Sequence, residues 1–205
     1  MLPERIQINT KISYWKAQEN PLSSDIGVIK GEKYTWVFDV GDGEEALACI
    51  RSLEAPINII LSHFHKDHIG NIGKIDDAKF YQGAHTLKYT HVGEAVHDDI
   101  WIEDGVKMHL FEIPSGHAKG CIGLEIDGEY AFLGDAVYCG IKDGKQVYNA
   151  NLLGEQIKVL RSLQAKYFLL SHRERLVCKK EAVLRQLDNI YAKRDVKSAW
   201  IYSNK

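Results

Sequence analysis

Apolar positions in this chain fall mostly at every second residue or in short unbroken runs, and helical spacing is confined to a few stretches. Ile6 to Trp15 alternates roughly, Ile26 to Lys30 is a short apolar run, and Lys33 to Asp39 is rich in aromatic and β-branched residues. All three read as strands, with Gly31-Glu32 as the hairpin turn between the last two. Gln18 to Ser24 is a loop by composition. After Asp39-Val40-Gly41-Asp42-Gly43, the residues Ala46, Leu47, Cys49, Ile50 and Leu53 share one stripe, which predicts a helix from Glu44 to Leu53. An apolar strand, Ile57 to Leu61, comes next, and strand, helix and strand in sequence predict a βαβ crossover. Lys79 to Tyr81 reads as a short strand and Ala84 to Val92 as a helix. Strands return at Val106 to Ile113, Cys121 to Ile126 and Tyr130 to Leu133, the last two joined by the hairpin signal Asp127-Gly128. Helices are expected at Leu153 to Leu163 and Lys180 to Ala192, flanking a strand at Tyr167 to Leu170. The tail, Asp195 to Lys205, is expected to pack down as a final strand through Trp200, Ile201 and Tyr202.

This order predicts the α/β class: two packed mixed β-sheets with helices on the outer faces, an αββα sandwich. At 205 residues and 45% hydrophobic content, the chain fits a single domain, 1–205, with a sizeable core. A net charge of -2 with no long basic run argues against nucleic acid and favours a small-molecule partner. Cys49, Cys121, Cys139 and Cys178 form no C-x-x-C pair, so neither a disulfide framework nor a zinc knuckle is expected. Met1-Leu2-Pro3-Glu4-Arg5 lacks the apolar core of a signal peptide, and no apolar run reaches membrane-spanning length. The expectation is a cytoplasmic protein without membrane contact, of open oligomeric state.

The chemistry concentrates in Ser62-His63-Phe64-His65-Lys66-Asp67-His68, directly after the strand Ile57 to Leu61. In extended chain, His63 and His65 project to the same side and can share one metal. Asp67 and His68 are adjacent and converge only if the chain turns, for which Gly70-Asn71 offers a site. Two groups of donors at neighbouring points suggest two metals. Three more donors stand at the ends of apolar strands: His117 after Ile113, Asp135 after Leu133, and His172 after Leu170. Rigid strands hold such positions while loops leave an opening.

Taken together, H-x-H-x-D-H followed by a lone His, an Asp and a final His resembles the metallo-β-lactamase-fold hydrolases, and Asp39-Val40-Gly41 resembles the family's early Asp-x-Gly. The resemblance implies that His63, His65 and His117 hold a first metal, that Asp67, His68 and His172 hold a second, and that Asp135 bridges both. It implies two divalent ions, Zn²⁺ ahead of iron or manganese, sharing a hydroxide when about 3.5–4 Å apart, with Asp67 orienting it. Asp135, in place of a cysteine, is similar to the glyoxalase II, lactonase and phosphodiesterase branch. The helical domain that binds glutathione in glyoxalase II is expected to be missing for want of room in 205 residues, and the final His lacks its usual flanking glycines. Tyr138 resembles the tyrosine that assists carbonyl activation in the lactonases; packing on the core is its alternative role. Asp39 is expected to brace the ligand loop. His85, His91, His97 and His109 are expected as surface or satisfied core residues, and the pairs Asp98-Asp99 and Glu103-Asp104 as solvated. The expected activity is dinuclear-metal hydrolysis of a small ester, lactone or thioester. Alternatives are phosphodiester hydrolysis, a mononuclear-iron enzyme like the persulfide dioxygenases of this fold, and a metal-stabilised binding module.

Overall fold

Strand Thr35–Phe38 shows how the layers are built. Trp36 and Phe38 join an apolar cluster contributed by two sheets, whereas Val37 joins a second cluster with Ala46, Cys49 and Ile50 of the helix Gly43–Arg51. Its parallel neighbour Ile57–Leu61 repeats the pattern, with Ile60 inward and Ile59 and Leu61 outward. Strands covered on both faces are apolar throughout, which explains why this run does not alternate in sequence. A computed structural model describes residues 2–203.

The first sheet has seven strands in the order Ile6–Gln7, Ile12–Trp15, Ile26–Lys30, Thr35–Phe38, Ile57–Leu61, Lys79–Gly83 and Glu94–Val96. The first four pair antiparallel and the last four parallel. The second sheet has six: Ile100–Glu103, Lys107–Ile113, Cys121–Ile126, Tyr130–Gly134, Tyr167–Leu170 and Val177–Lys179. Only Tyr130–Gly134 and Tyr167–Leu170 pair in parallel within it. Ile29, Trp36, Phe38 and Ile60 of the first sheet meet Met108, Leu110, Ile122 and Phe132 of the second. Helices Ala150–Ser162 and Lys180–Tyr191 cover the outer face of the second sheet through Leu153, Ile157, Leu184 and Leu187. The α/β sandwich expected from the sequence is the fold observed. Among the described residues no helix is long and apolar enough to cross a membrane.

Local departures have local causes. The stretch Ile6 to Trp15 is a hairpin, not one strand, because the Asn9 side chain accepts from the backbone N–H groups of Lys11 and Ile12, at 2.8 Å each, and turns the chain. The loop Gln18 to Ser24 contains a minimal hairpin, Gln18–Glu19 with Leu22–Ser23. Residues 136 to 152 hold another, Gly140–Lys142 with Lys145–Asn149, around Asp143-Gly144, both at positive φ. The tail strand, Trp200–Tyr202, pairs with that hairpin; Asn204 and Lys205, like Met1, lie outside the described residues. Helix Ala150–Ser162 begins before Leu153 because Asn149 Oδ1 accepts from Leu152 N at 3.0 Å. Asp104 is not solvated as expected. It is 5% exposed and accepts from Lys33 N, Tyr34 N and Trp36 Nε1 at 2.8, 3.2 and 2.9 Å, fastening the hairpin of the first sheet to the start of the second.

Candidate metal centre

Strand Ile57–Leu61 ends beside the end of Thr35–Phe38, and parallel pairing places Asp39 next to Ser62. Asp39 is buried at φ 61°. Its Oδ1 accepts Ser62 N at 2.7 Å, and its Oδ2 lies 2.8 Å from Ser62 Oγ and 2.7 Å from His68 Nδ1. A carboxylate at Nδ1 fixes that nitrogen as a donor and aims His68 Nε2 into the site. Asp39 therefore braces the loop, as its place in the sequence suggested.

The turn that brings Asp67 and His68 round is a single helical turn, Lys66–Ile69, closed by His68 N and Ile69 N donating to His65 O. It precedes Gly70-Asn71, where the sequence pointed. Gly70 serves a different need: a Cβ there would stand 2.4 Å from Asp42 Oδ1. Asp42 also pairs with Lys66 at 3.0 Å.

The other donors arrive from the second sheet. Gly134, at φ 54°, lets its strand abut Ser62, whose Oγ would lie 2.5 Å from a Cβ, and so delivers Asp135. Ser115 Oγ donates to Ala136 O at 2.8 Å and accepts His117 N at 3.0 Å, setting the His117 loop. His117 Nδ1 lies 3.2 Å from Cys139 O and donates to it, which aims Nε2 into the site. His172 adopts φ 60°, uncommon outside glycine. Asp25 Oδ2 holds it there by accepting His172 N at 3.0 Å and Ser171 Oγ at 3.1 Å.

The seven expected donors converge in two groups, His63, His65 and His117, and Asp67, His68, Asp135 and His172. In the first, His65 Nδ1 lies 3.0 Å from His63 Nε2 and 3.1 Å from His117 Nε2. In the second, His172 Nε2 lies 2.9 Å from Asp67 Oδ2 and 3.4 Å from His68 Nε2. Asp135 Oδ2 is 3.4 Å from His68 Nε2 and 3.7 Å from both His172 Nε2 and His117 Nε2, so it faces both groups.

Charge follows the packing. Burial, reinforced by the neighbouring imidazoles, holds the His63 pKa well below its usual value, and His65 is lowered likewise. Burial would depress His68, but the carboxylates of Asp39 and Asp135 outweigh it and raise its pKa. His172 is raised against burial by its bond to Asp67, whose own pKa falls in return.

These residues fit divalent metal ions. His65 Nδ1 faces two other imidazole nitrogens, at 3.0 and 3.1 Å, with no hydrogen-bond acceptor suited to all three, and Asp135 Oδ1 is buried without a partner. Donors about 2.0–2.1 Å from a tetrahedral Zn²⁺ stand roughly 3.3 Å apart, a spacing the observed separations bracket.

Tyr138 lies beside this centre, 6.4 Å from the His117 ring between centroids. Its ring packs on the apolar cluster under the second sheet, and its hydroxyl donates to Ser171 O, with the Arg173 guanidinium 5.8 Å from the ring centroid. Burial pushes its pKa up to about 12. His85 is not among the donors; it packs edge-on against Phe64, whose ring stacks on Tyr89. His91 caps a helix in the left-handed conformation.

Sequence reasoning missed Asp25, Ser62, Ser115 and Ser171, which touch the donors without belonging to a motif. A signal for Asp25 existed. The predicted hairpin pairs Gly27 with Phe38, which puts Asp25 at the same sheet end as Asp39.

Comparison with known proteins bears on the same residues. The model of the metallo-beta-lactamase superfamily matches residues 20–108, a span holding His63, His65, Asp67 and His68 but not His117, Asp135 or His172. A hydroxyacylglutathione hydrolase of Aeromonas salmonicida (strain A449) is 28% identical over 121 residues, 56% of this chain and 47% of that protein. The matched region thus spans about half the length of this curated relative. Among solved structures, a metallo-beta-lactamase superfamily protein from Sulfolobus tokodaii aligns at TM-score 0.63 and 18% identity, covering 91% of this chain and 88% of its own. A metallo-beta-lactamase from Pontibacter korlensis aligns at TM-score 0.65 and 16% identity, covering 91% and 99%. A chemotaxis sensor described with a peroxy diiron species aligns at TM-score 0.69 and 15% identity, covering 90% and 94%.

Proposed function

We propose that this chain, which belongs to the metallo-beta-lactamase superfamily, is a dinuclear-metal hydrolase of small carboxylic esters, lactones or thioesters. The observation that carries the reading is Asp135 Oδ2, which lies within 3.7 Å of donor nitrogens from both groups and is placed to serve two ions at once. On this reading His63, His65 and His117 hold one ion, Asp67, His68 and His172 the other, and Asp135 both. Bound divalent ions of this kind supply Lewis acidity and lower the pKa of water, with zinc ahead of iron or manganese for a His and Asp donor set.

The chain's own groups do the rest. Asp39 and Cys139 O fix the donor nitrogens of His68 and His117, so the opposite nitrogens face the site before any ion arrives. Asp67 Oδ2, directed into the centre, accepts a proton from the attacking water and orients it. Tyr138 polarises a substrate carbonyl by exchanging its bond to Ser171 O for one to the developing oxyanion, since one neutral donor suits a single oxygen better than a phosphoryl group. The relative named for hydrolysis of a hydroxyacyl-glutathione supports an acyl centre ahead of a phosphodiester. Iron chemistry is the second reading, favoured by the structural neighbour that carries a diiron species.

The deciding experiment loads the protein with zinc, or separately with iron, counts ions per chain, and assays esters, lactones, thioesters and a phosphodiester. Two ions per chain and turnover at acyl centres are expected. Turnover of the phosphodiester alone, or one iron per chain with inert esters, overturns the proposal.

A further inference from the structure

Beside the proposed metal centre stands an arginine that, among the described residues, forms no ion pair with a carboxylate. Arg173 follows His172 directly and is half-buried. Other cations are answered: Lys66, inside the donor loop, pairs with Asp42 at 3.0 Å, and Arg161 pairs with Asp188 at 2.8 Å. For Arg173 the bond to Gln186 Oε1 is long, at 3.4 Å.

Residues of the site hold this side chain in place. Its guanidinium carbon lies over the Tyr138 ring, 5.8 Å from the centroid, and that ring is 6.4 Å from the ring of His117. A cation over an aromatic face is attracted by the ring, and the contact uses none of the guanidinium's N–H donors. Burial raises the pKa values of Tyr138 and Tyr148, and the same guanidinium works against both rises, so its charge reaches both phenols. A half-buried cation with donors to spare has lost part of its hydration and gains most from an anion that a ligand brings.

We propose that Arg173 receives a carboxylate carried by the substrate, so that the centre acts on acyl compounds bearing an anionic group apart from the bond that is cleaved. On the hydrolase reading, which this proposal presupposes, the other end of the same molecule is the acyl group held beside Tyr138. A carboxylate suits the position better than a phosphate. One guanidinium offers two parallel N–H groups to two oxygens and balances one negative charge, whereas a phosphate close to a dianion calls for a further cation, and Lys66 is already paired.

Binding tests this without turnover. Zinc-loaded protein is titrated calorimetrically with each dicarboxylate from malonate to adipate and with the monocarboxylate of the same carbon number. Either kind can place one carboxylate at the ions, and the dicarboxylate alone has a second for Arg173. At the length that spans the site, wild type is expected to bind the dicarboxylate about 10-fold more tightly, the size of a charge-assisted pair. Arg173→Gln is expected to lose that preference with its metal content unchanged, and Arg173→Lys, which keeps the charge without the paired donors, to keep part of it. Elemental analysis counts the metal in each variant, and Arg173→Lys carries the test if Arg173→Gln loses metal. Attraction of a dianion by the ions alone would survive both substitutions. A wild type without preference at any length, or a preference undiminished in a variant that keeps its metal, therefore overturns the proposal. The preference seen in protein that hydrolyses no ester would overturn the hydrolase reading instead and leave the carboxylate at Arg173 standing.

Discussion

Asp39 shows how much one buried carboxylate decides. It accepts three hydrogen bonds, two from Ser62 and one from His68 Nδ1, and thereby sets which nitrogen of this proposed metal donor faces the site. Asp39→Asn keeps the volume but offers His68 only an amide, so metal affinity is expected to fall about 10–100-fold. A competitive chelator titration measures this; unchanged affinity would show that Ser62 alone orients the ring. Tyr138 calls for a kinetic test. If its hydroxyl leaves Ser171 O for a substrate carbonyl, Tyr138→Phe lowers kcat by about tenfold or more with metal content unaltered. If the hydroxyl only steadies the chain next to His172, metal retention changes instead. The convergence of the seven proposed donors was legible because His63 to His68 lie within six residues and the rest follow apolar strands. Asp25 was not, since its partners Ser171 and His172 are about 146 residues away and only the folded sheets bring them together.

Elements were legible where pattern and local chemistry agreed. Ile57–Leu61, Cys121–Ile126 and Tyr167–Leu170 match the apolar runs residue for residue. The hairpin Gly140–Lys142 with Lys145–Asn149 was missed because its strands are short and polar, although Asp143-Gly144 marks its turn. Asp104 was misread because its acidic neighbourhood resembles a solvated loop, whereas its partners are supplied by another element. Burial works to raise its carboxyl pKa, but bonds from the Trp36 indole and the backbone of Lys33 and Tyr34 outweigh this and lower it. A carboxyl lowered in the folded state stabilises the fold above its unfolded pKa, and that contribution is lost as pH falls through the folded value. Asp104→Ala strands three donors and is expected to cost roughly 2–4 kcal/mol at pH 7. The difference between wild type and variant should shrink on acidification below about pH 4, the ordinary carboxyl range. Urea denaturation at pH 7 and pH 3 reads both effects; a gap that widens in acid would reverse the assignment.

At the scale of the whole molecule, the proposed metal centre is a seam between sheets. His63, His65, Asp67 and His68 follow a strand of the first sheet, while His117, Asp135 and His172 follow strands of the second. The two-sheet class was legible because helices and strands alternate in recognisable blocks. Strand order was not, because pairings such as Tyr130–Gly134 with Tyr167–Leu170 skip an intervening hairpin and helix. An ion held by both sheets binds only the folded chain, so it adds stability by mass action, about 2.7 kcal/mol at a free concentration 100 times Kd. For a chain of this size each kcal/mol moves Tm by about 2–4 °C, so removing the metal should lower Tm by roughly 5–10 °C. Thermal unfolding with and without a chelator measures it. Asp135→Ala, which takes away the donor facing both groups, should leave little of that difference, whereas His117→Ala should leave the part due to Asp67, His68 and His172. If chelation leaves Tm unmoved in protein shown to have contained metal, the ions do not join the sheets, and the stability of the seam rests on the inter-sheet core alone.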